Sequence, residues 1–272
     1  LEATSDYWKN IYYFLKQQSD AFVLTVINPI RTRAFAKTEL RRAGTDAVAA
    51  QDIARFMVEK KPPPSIDRTP IFDCIKDLDG QSYAVKKQQT MCINRLRIEL
   101  TKVAPEIEKA VSGITGQQKL ALLGRFPTAE AIANASLQEL ADVHYGTNHW
   151  SLPLKFIQKM KLLAANSIAY KTGPGAGYVV QSLVRRIIET QQETERITLQ
   201  LMEQYKLVNE HQSLLTSIPG ISQQAAIVLE AYIGDVNRFP NAKNMVAYFG
   251  MNPTIDATEK SRSETRRVGK YC

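Results

Sequence analysis

The C-terminal part of the chain contains, at residues 213–229, the sequence SLLTSIPGISQQAAIVL. An apolar helix end meets a tight turn at Pro219 and Gly220, and a second helix is predicted to begin at Ser222, which can cap it. Gly220 lets the backbone come close to a ligand, and the free N–H groups of the next helix can bind a phosphate. The stretch predicts a helix-hairpin-helix that binds the nucleic-acid backbone without reading bases. An ordinary helical hairpin inside a core is an equally good interpretation. The residues predicted to contact DNA are Ser217, Gly220, Ile221 and Ser222.

The chain is basic, with 35 Lys and Arg against 27 Asp and Glu and a net charge of +8. Positive charge is concentrated between residues 31 and 61 and between residues 258 and 272, whereas residues 189–210 are acidic. A basic balance favours a polyanionic partner, although many basic proteins bind none. We therefore expect nucleic acid at the two ends of the chain and not at its middle.

Cys74, Cys92 and Cys272 are odd in number and lack CxxC spacing, which predicts free thiols in a reducing compartment. The three histidines do not pair with cysteine or carboxylate at zinc-ligand spacing, so no structural zinc is expected. No apolar run reaches membrane-spanning length and no signal peptide opens the chain. These features predict a cytoplasmic protein without a membrane partner.

The first 62 residues mix helix and strand patterns. Residues 6–18 predict a helix, and the run AFVLTVI at residues 21–27 has the length and β-branched character of a buried strand in an α/β sheet. A basic helix is expected over residues 30–40, and another after Thr45. Lys60 and the prolines that follow are expected to form a stiff linker.

Two long stretches, residues 82–114 and 180–208, have apolar residues at three- and four-residue spacing. They predict two long helices that pair as an antiparallel coiled coil, and a plain helical bundle is nearly as economical. Residues 119–171 lie between them. Thr128 can cap one helix there, and residues 136–139 form a capping box. We expect a small helical insert at the tip of the arm.

Two carboxylates lie on different elements of the N-terminal region. Glu2 precedes the first helix, and Asp46 opens the helix after Thr45. Carboxylates on separate elements of an α/β sheet can share a divalent metal, which is how many phosphoryl-transfer sites begin. The competing interpretations are that Asp46 is a helix N-cap and that Glu2 is solvated. Composition alone favours these two interpretations over a shared metal site.

Five motifs, in this order, carry a resemblance to a known family. They are LEATSDYWK from Leu1, INPIRTRAF from Ile27, TDAVAAQDIARF from Thr45, SIPGI from Ser217 and AYFGMNP from Ala247. The chain resembles the bacterial insertion-sequence transposases of the "one-ten" family, relatives of the Piv DNA invertases. The resemblance covers essentially the whole chain, and five motifs in the right order are specific.

The resemblance implies an α/β plus α fold. Its parts are a RuvC-like (RNase H-like) domain at residues 1–62 with a DEDD metal tetrad, a coiled-coil arm at 63–212 with its insert, and a helical C-terminal domain at 213–272 with a nucleophilic serine. It also implies recombination of DNA by strand cleavage and transfer of an insertion sequence. Further implications are Mg²⁺, a structured guide RNA, a homo-oligomer and a cytoplasmic, nucleoid-associated location.

Carried over by position, the resemblance implies that Glu2, Asp46 and Thr258 are the catalytic residues. Glu2 and Asp46 match two tetrad carboxylates and would hold the metal. The tetrad's last aspartate falls on Ala49. Asp52 points about 240° away from Asp46 and is a poor substitute. The serine position falls on Thr258, whose β-branch hinders the hydroxyl.

The resemblance also implies phosphate contacts near the C-terminus. The residues that would make them are Arg262, Arg266, Arg267 and Lys270. The tetrad's leading aspartate would lie on a strand before Leu1, and the family pattern continues past Cys272. We therefore expect a truncated copy that is catalytically dead or severely impaired. A nucleic-acid-binding remnant without catalysis, or a relic that no longer folds stably, are the alternatives.

Overall fold

The chain divides into two compact units, Leu1–Arg68 and Thr69–Cys272. The part of the chain that the computed structural model describes is mostly helical, with short antiparallel strand pairs. Across these residues, no helix combines the length and the apolar character needed to cross a membrane. The described residues are 1–18, 23–38, 45–65, 70–110, 113, 115–209 and 213–251, with the backbone of 254–258 and 261–265.

The N-terminal unit begins with helices that the sequence predicts well. Trp8 and Tyr12 are buried on the first helix, with ring centroids 5.8 Å apart. Phe35 and Phe56, from the next two helices, pack edge to face at 5.6 Å and enclose Ile27 in a small core. The helices are α1 (Tyr7–Gln18), α2 (Pro29–Thr38) and α3 (Asp46–Lys60).

A parallel backbone pairing joins the first residues to the segment before α2. Leu1 N–H donates to Thr25 O at 2.9 Å, Ile27 N–H to Leu1 O at 2.8 Å, and Ala3 N–H to Ile27 O at 2.8 Å. The pairing amounts to a single parallel bridge, Glu2 with Ile27. Parallel pairing is typical of α/β proteins, so this fragment agrees with the predicted fold class, while its RuvC-like identity stays a prediction.

The predicted strand at 21–27 is only partly buried. Residues 21 and 22 lie outside the described part of the chain. Thr25 and Ile27 are buried, but Val23 is 74% exposed. Val23, Thr25 and Ile27 have side chains on the same face of an extended segment, so burial is lost toward the start of the segment. The expectation of a strand buried throughout is wrong at Val23.

The proline-rich segment after α3 is held against the same strand segment. Lys61 ends α3 in the left-handed region, with φ of 42°, and its N–H donates to Met57 O at 3.1 Å. Ser65 N–H then donates to Leu24 O at 3.0 Å, and Ser65 Oγ accepts from Val26 N–H at 2.7 Å. The segment expected to be a free stiff linker therefore belongs to the packing of the N-terminal unit.

Two long antiparallel helices form the centre of the second unit. Leu100, near the end of the first, shares a buried cluster with Val180, near the start of the second. Ile75 shares another cluster with Leu201 at the opposite ends. The first helix starts well before the predicted residue 82, because Pro70 is favourable at a helix start. Supercoiling stays a prediction. The helices are α4 (Pro70–Val103) and α10 (Pro174–Lys206).

The segment between these helices folds into short helices around the larger buried cluster. Thr128 Oγ1 accepts from Ala131 N–H at 3.1 Å. Ser136 and Glu139 form the predicted capping box. The sequence did not predict the strand pair here. The elements are α5 (Pro105–Ala110), α6 (Gln117–Arg125), α7 (Ala129–Asn134), α8 (Leu137–Ala141), β1 (His144–Tyr145), β2 (Trp150–Ser151) and α9 (Leu154–Ala165).

The C-terminal region departs from the predicted all-helical domain. The first helix of the expected helix-hairpin-helix is a four-residue 3₁₀ helix, Leu214–Ser217. Leu214 is 88% exposed, so this element does not bury an apolar face as expected. An antiparallel strand pair closes the described residues. The remaining elements are α11 (Gln223–Ile233), a 3₁₀ turn (Val236–Arg238), α12 (Ala242–Tyr248), β3 (Thr254–Thr258) and β4 (Ser261–Thr265).

Candidate functional site

Glu2 is held in place by two hydroxyl groups. Its Oε1 accepts from Thr32 Oγ1 on α2, and its Oε2 accepts from Thr4 Oγ1 at 2.8 Å. Thr32 is only 4% exposed, while Glu2 is half-buried at the parallel bridge. Each carboxylate oxygen keeps a further lone pair. The carboxylate is therefore oriented and still able to bind a cation, so it is not the freely solvated group of the competing interpretation.

Asp46 is the first residue of α3 and is exposed. The helix N-cap is Thr45, whose Oγ1 accepts from Val48 N–H at 3.4 Å, so the interpretation of Asp46 as the cap is wrong. Ala49 is exposed too, whereas Asp52 is buried on the inner face with 5% exposure. Asp52 and Ala49 therefore lie on different faces of α3, and the interpretation of Asp52 as a poor substitute stays a prediction.

Glu2 and Asp46 have the oxygen donors that a divalent metal ion prefers, but two carboxylates are few for a metal site. Mg²⁺ prefers oxygen ligands such as carboxylates. Within the described residues, however, His, Cys, Asp and Glu side chains do not gather into a group of three that could hold a metal ion. Glu2 and Asp46 would be the ligands contributed by this part of the chain, and Mg²⁺ itself stays a prediction.

The predicted turn of the C-terminal region is formed and open. Ile221 N–H donates to Ile218 O at 3.1 Å, with Pro219 and Gly220 between them. Gly220 has φ of +91°, as a type II turn requires at its third residue. Apart from Gly220 and its two neighbours in the chain, no described residue has an atom within 4 Å of the position that a Cβ of Gly220 would take. A large ligand can therefore approach the backbone here.

The helix that follows the turn begins at Ser222, as predicted. Ser222 Oγ accepts from Ala225 N–H at 3.2 Å, and Ser217, Gly220 and Ser222 are all exposed. The other N–H groups of the first turn of α11 lack partners within the helix. An anion at this helix start would meet free donors and the positive end of the helix dipole.

A buried polar cluster, which the sequence did not reveal, fastens this turn to α10. We call Tyr205, Asn209, Ser213 and Glu230 the tether cluster. Tyr205 Oη donates to Glu230 Oε2 at 2.5 Å, and Ser213 Oγ donates to Glu230 Oε1. Asn209 Nδ2 donates to Tyr205 Oη at 2.8 Å. Burial, followed by the hydrogen bond to Glu230, raises the pKa of Tyr205. The cluster fixes the 3₁₀ helix and α11 on the end of α10.

The other predicted residues of the C-terminal region lie at or beyond the last strands. Thr258 is the last residue of β3, where its backbone pairs with Ser261, and Arg262 pairs with Ala257. The predicted phosphate-binding residues Arg266, Arg267 and Lys270 lie outside the described residues. The register of the strand pair thus places Thr258 and Arg262 at the same end of the two strands.

Comparison with known proteins identifies the family. Residues 1–105 match a family model described as "Transposase", which is specific to DEDD transposases of IS110 elements. Residues 212–271 match the model "Transposase IS116/IS110/IS902 family". Together the two matches cover more than half of the chain. The chain belongs to the IS110 family of transposases.

A curated relative of this IS110 chain is the insertion element IS110 uncharacterized 43.6 kDa protein of Streptomyces coelicolor. The two are 24% identical over 234 residues, which is 83% of this chain and 55% of the relative. The IS110 chain thus spans about half the length of the curated relative that it matches. The family resemblance seen in the five motifs is confirmed.

Proposed function

We propose that the chain is part of a DNA transposase that recombines insertion-sequence DNA. The observation that carries this proposal is the position of the two family matches. One includes Glu2 and Asp46, and the other includes the open turn at Gly220 and the strand that ends at Thr258. Carboxylates that hold a metal and a surface that binds the DNA backbone both serve a metal-dependent DNA strand transfer.

We propose that Glu2 and Asp46 bind a divalent cation, with Mg²⁺ as the expected ion. Such a cation polarises a scissile phosphate and stabilises the charge that develops on it. The contribution of Glu2 is orientation, since Thr4 and Thr32 fix both oxygens of its carboxylate. Asp46 offers its carboxylate from the exposed start of α3.

In this proposal the hydroxyl of Thr258 is the attacking group, and cleavage by this copy is lost or severely impaired. Ala49 offers no oxygen ligand on the exposed face of α3. The β-branched side chain of threonine restricts its rotamers, and a secondary hydroxyl is more hindered than that of serine. DNA binding without catalysis is the second candidate function. The open turn favours it, because that surface needs no metal.

The remaining family features complete the proposal. The open turn, with Arg262, Arg266, Arg267 and Lys270, would bind backbone phosphates. The antiparallel pair of α4 and α10 would be the coiled-coil arm, and its role would be to act as a spacer or to join copies into a homo-oligomer. A structured guide RNA would be a further partner, and the protein would act in the cytoplasm at the nucleoid.

The test combines binding and cleavage in one preparation of the 272-residue chain. A duplex and a four-way junction of the same sequence would be titrated at several salt concentrations, with and without Mg²⁺. We expect affinity to fall steeply with salt, as phosphate contacts require, and no strand cleavage. Binding with cleavage would refute the loss of activity. Failure to bind either DNA would refute both candidate functions.

A further inference from the structure

A groove outside these sites lies between the β1–β2 turn and the middle of α10. It has a volume of about 530 Å³, which is the size of a small-molecule site. The floor is apolar, formed by Leu120, which is 2% exposed, and by Ile188, which packs on the same buried cluster. We call this cavity the insert groove. Its size and its floor suit a flat, partly apolar group.

The rim of the insert groove carries two imidazoles and a phenol. His144, Tyr145 and His149 line it. Gln118 Nε2 donates to Tyr145 Oη at 2.9 Å, and His144 Nδ1 lies 3.3 Å from Ser151 Oγ, so both rings are oriented. Aromatic and imidazole faces are the surfaces on which unpaired nucleobases stack.

The turn that carries this rim has two residues with positive φ. His149 has φ of +49°, in the left-handed region that histidine, like asparagine and aspartate, adopts more often than other non-glycine residues. Gly146, in the same turn, has φ of +73°. The two positive-φ residues turn the chain between β1 and β2 and leave His149 on the rim of the insert groove.

The polar groups of the insert groove match the edge of a base and not a phosphate. Gln117, Gln191 and Gln192 supply amides that both donate and accept, and Glu195 supplies an acceptor. Among the described residues that line the groove, none is Lys or Arg. An anionic phosphate would thus meet a carboxylate without a compensating cation.

We propose that the insert groove binds an unstacked nucleobase of a single-stranded nucleic acid, with preference for bases that carry an exocyclic amino group. The carboxylate of Glu195 accepts hydrogen bonds only, so it selects an amino group over a carbonyl oxygen. The acidic stretch around the groove keeps phosphates outside while the base enters. Arg185, which lines an adjoining groove of about 350 Å³ together with Ile188, can hold a phosphate of the same strand.

This site does not depend on the open turn or on strand transfer, and the test separates it from both. Fluorescence anisotropy would compare single strands of about 12 nucleotides at about 0.3 M salt, where phosphate-driven binding is weak. The probes are oligo-A, oligo-C, oligo-T or oligo-U and an abasic strand, each as RNA and as DNA. We expect A and C to bind more tightly than T or U, and the abasic strand to bind least. Comparing each RNA strand with its DNA counterpart shows which nucleic acid supplies the base.

The decisive variant is His149→Gly, because glycine relieves the positive φ while it removes the imidazole. We expect about tenfold weaker binding of oligo-A with no loss of thermal stability. Ser5→Gly is the matched control, since Ser5 also has a positive φ, of 51°, and lies in the other unit. Glu195→Gln should remove the preference for A and C over T or U. The proposal is overturned if the abasic strand binds as well as oligo-A, or if His149→Gly binds oligo-A like the parent.

Discussion

The two regions with candidate sites differ in how completely the described residues build them. In the N-terminal unit, Glu2 is oriented by two hydroxyls, but Asp46 stands exposed at a helix start and Ala49 offers no ligand. In the C-terminal region, the turn at Gly220 is closed by the hydrogen bond from Ile221 N–H to Ile218 O, and the tether cluster fixes α11, which follows the turn, on the end of α10.

The difference shows why DNA binding and metal-dependent catalysis can be affected separately in one chain. A phosphate-binding turn needs only backbone N–H groups and an open approach, and both are local properties. A metal site needs several carboxylates at matched positions from distant elements, so in the proposed site a residue without an oxygen donor, such as Ala49, would remove much of the geometry. We therefore expect substitutions in the two regions to separate affinity for DNA from affinity for a metal.

The largest effect is expected in the tether cluster. Glu230→Ala removes the acceptor of Tyr205 and Ser213, both buried, and leaves two hydroxyls without their carboxylate. The free energy of unfolding should fall by about 2–4 kcal/mol, since hydrogen bonds to charged groups are costly to lose when buried. Thermal denaturation followed by circular dichroism measures this. Glu189→Ala, at an exposed position of α10, is the control and should change little.

The turn itself should be next in sensitivity. Gly220→Ala places a side chain at φ of +91°, which destabilises the turn by about 1–2 kcal/mol. Affinity for duplex DNA at low salt should fall as well, because the backbone N–H groups move. Gly175→Ala in the first turn of α10 is the control, with open space around the new methyl group. Unchanged DNA affinity in Gly220→Ala would remove the turn from the proposed DNA surface.

A smaller effect is expected at Thr32, the buried hydroxyl that orients Glu2. Thr32→Val keeps the shape and removes the hydroxyl that contacts both Glu2 Oε1 and Pro29 O, so stability should fall by about 1 kcal/mol. Thr38→Val removes an exposed hydroxyl that bonds only to Phe35 O, and it serves as the control. Calorimetric titration of both variants with Mg²⁺ measures whether Thr32 also positions Glu2 for metal binding. Metal affinity should weaken in Thr32→Val alone, and equal weakening in both variants would count against a positioning role for Thr32.

The sequence was most informative where the relevant chemistry lies within a few residues. The caps at Thr128, Ser136 and Ser222 were predicted and are confirmed, because a cap joins a side chain to a backbone N–H three residues away. The long helices were predicted for a related reason, since their apolar spacing repeats over many turns. For the same reason the family motifs were specific, as each is a short local string.

The sequence did not predict hydrogen bonds between residues that are far apart in the chain. Tyr205 and Glu230 are 25 residues apart. Ser65, near the end of the N-terminal unit, donates its N–H to Leu24 O. The sequence did not predict this contact, because the prolines before Ser65 have the pattern of a linker. The strands of the β1–β2 pair have two residues each, which is too short for a detectable alternation. Such contacts depend on packing, which a single sequence does not reveal.

The smallest effect on stability, and the sharpest test of the comparison, is expected for Ala49→Asp. Position 49 is exposed on the same side of α3 as Asp46, so the free energy of unfolding should change by no more than about 0.5 kcal/mol. Affinity for Mg²⁺ should nevertheless rise by about tenfold, since each added carboxylate ligand strengthens such a site.

The control for Ala49→Asp is Ala47→Asp, which adds the same charge at an exposed alanine that points about 100° away from Asp46 and about 160° away from position 49. Calorimetric titration with Mg²⁺ would be run on both variants and on the parent chain. A rise confined to Ala49→Asp would mean that Glu2 and Asp46 keep the geometry of a metal site that one residue has weakened. An equal rise in both variants would mean that the added charge merely attracts the cation. The N-terminal unit would then hold no remnant of a metal site, and DNA binding by the C-terminal region would be the function left to the chain.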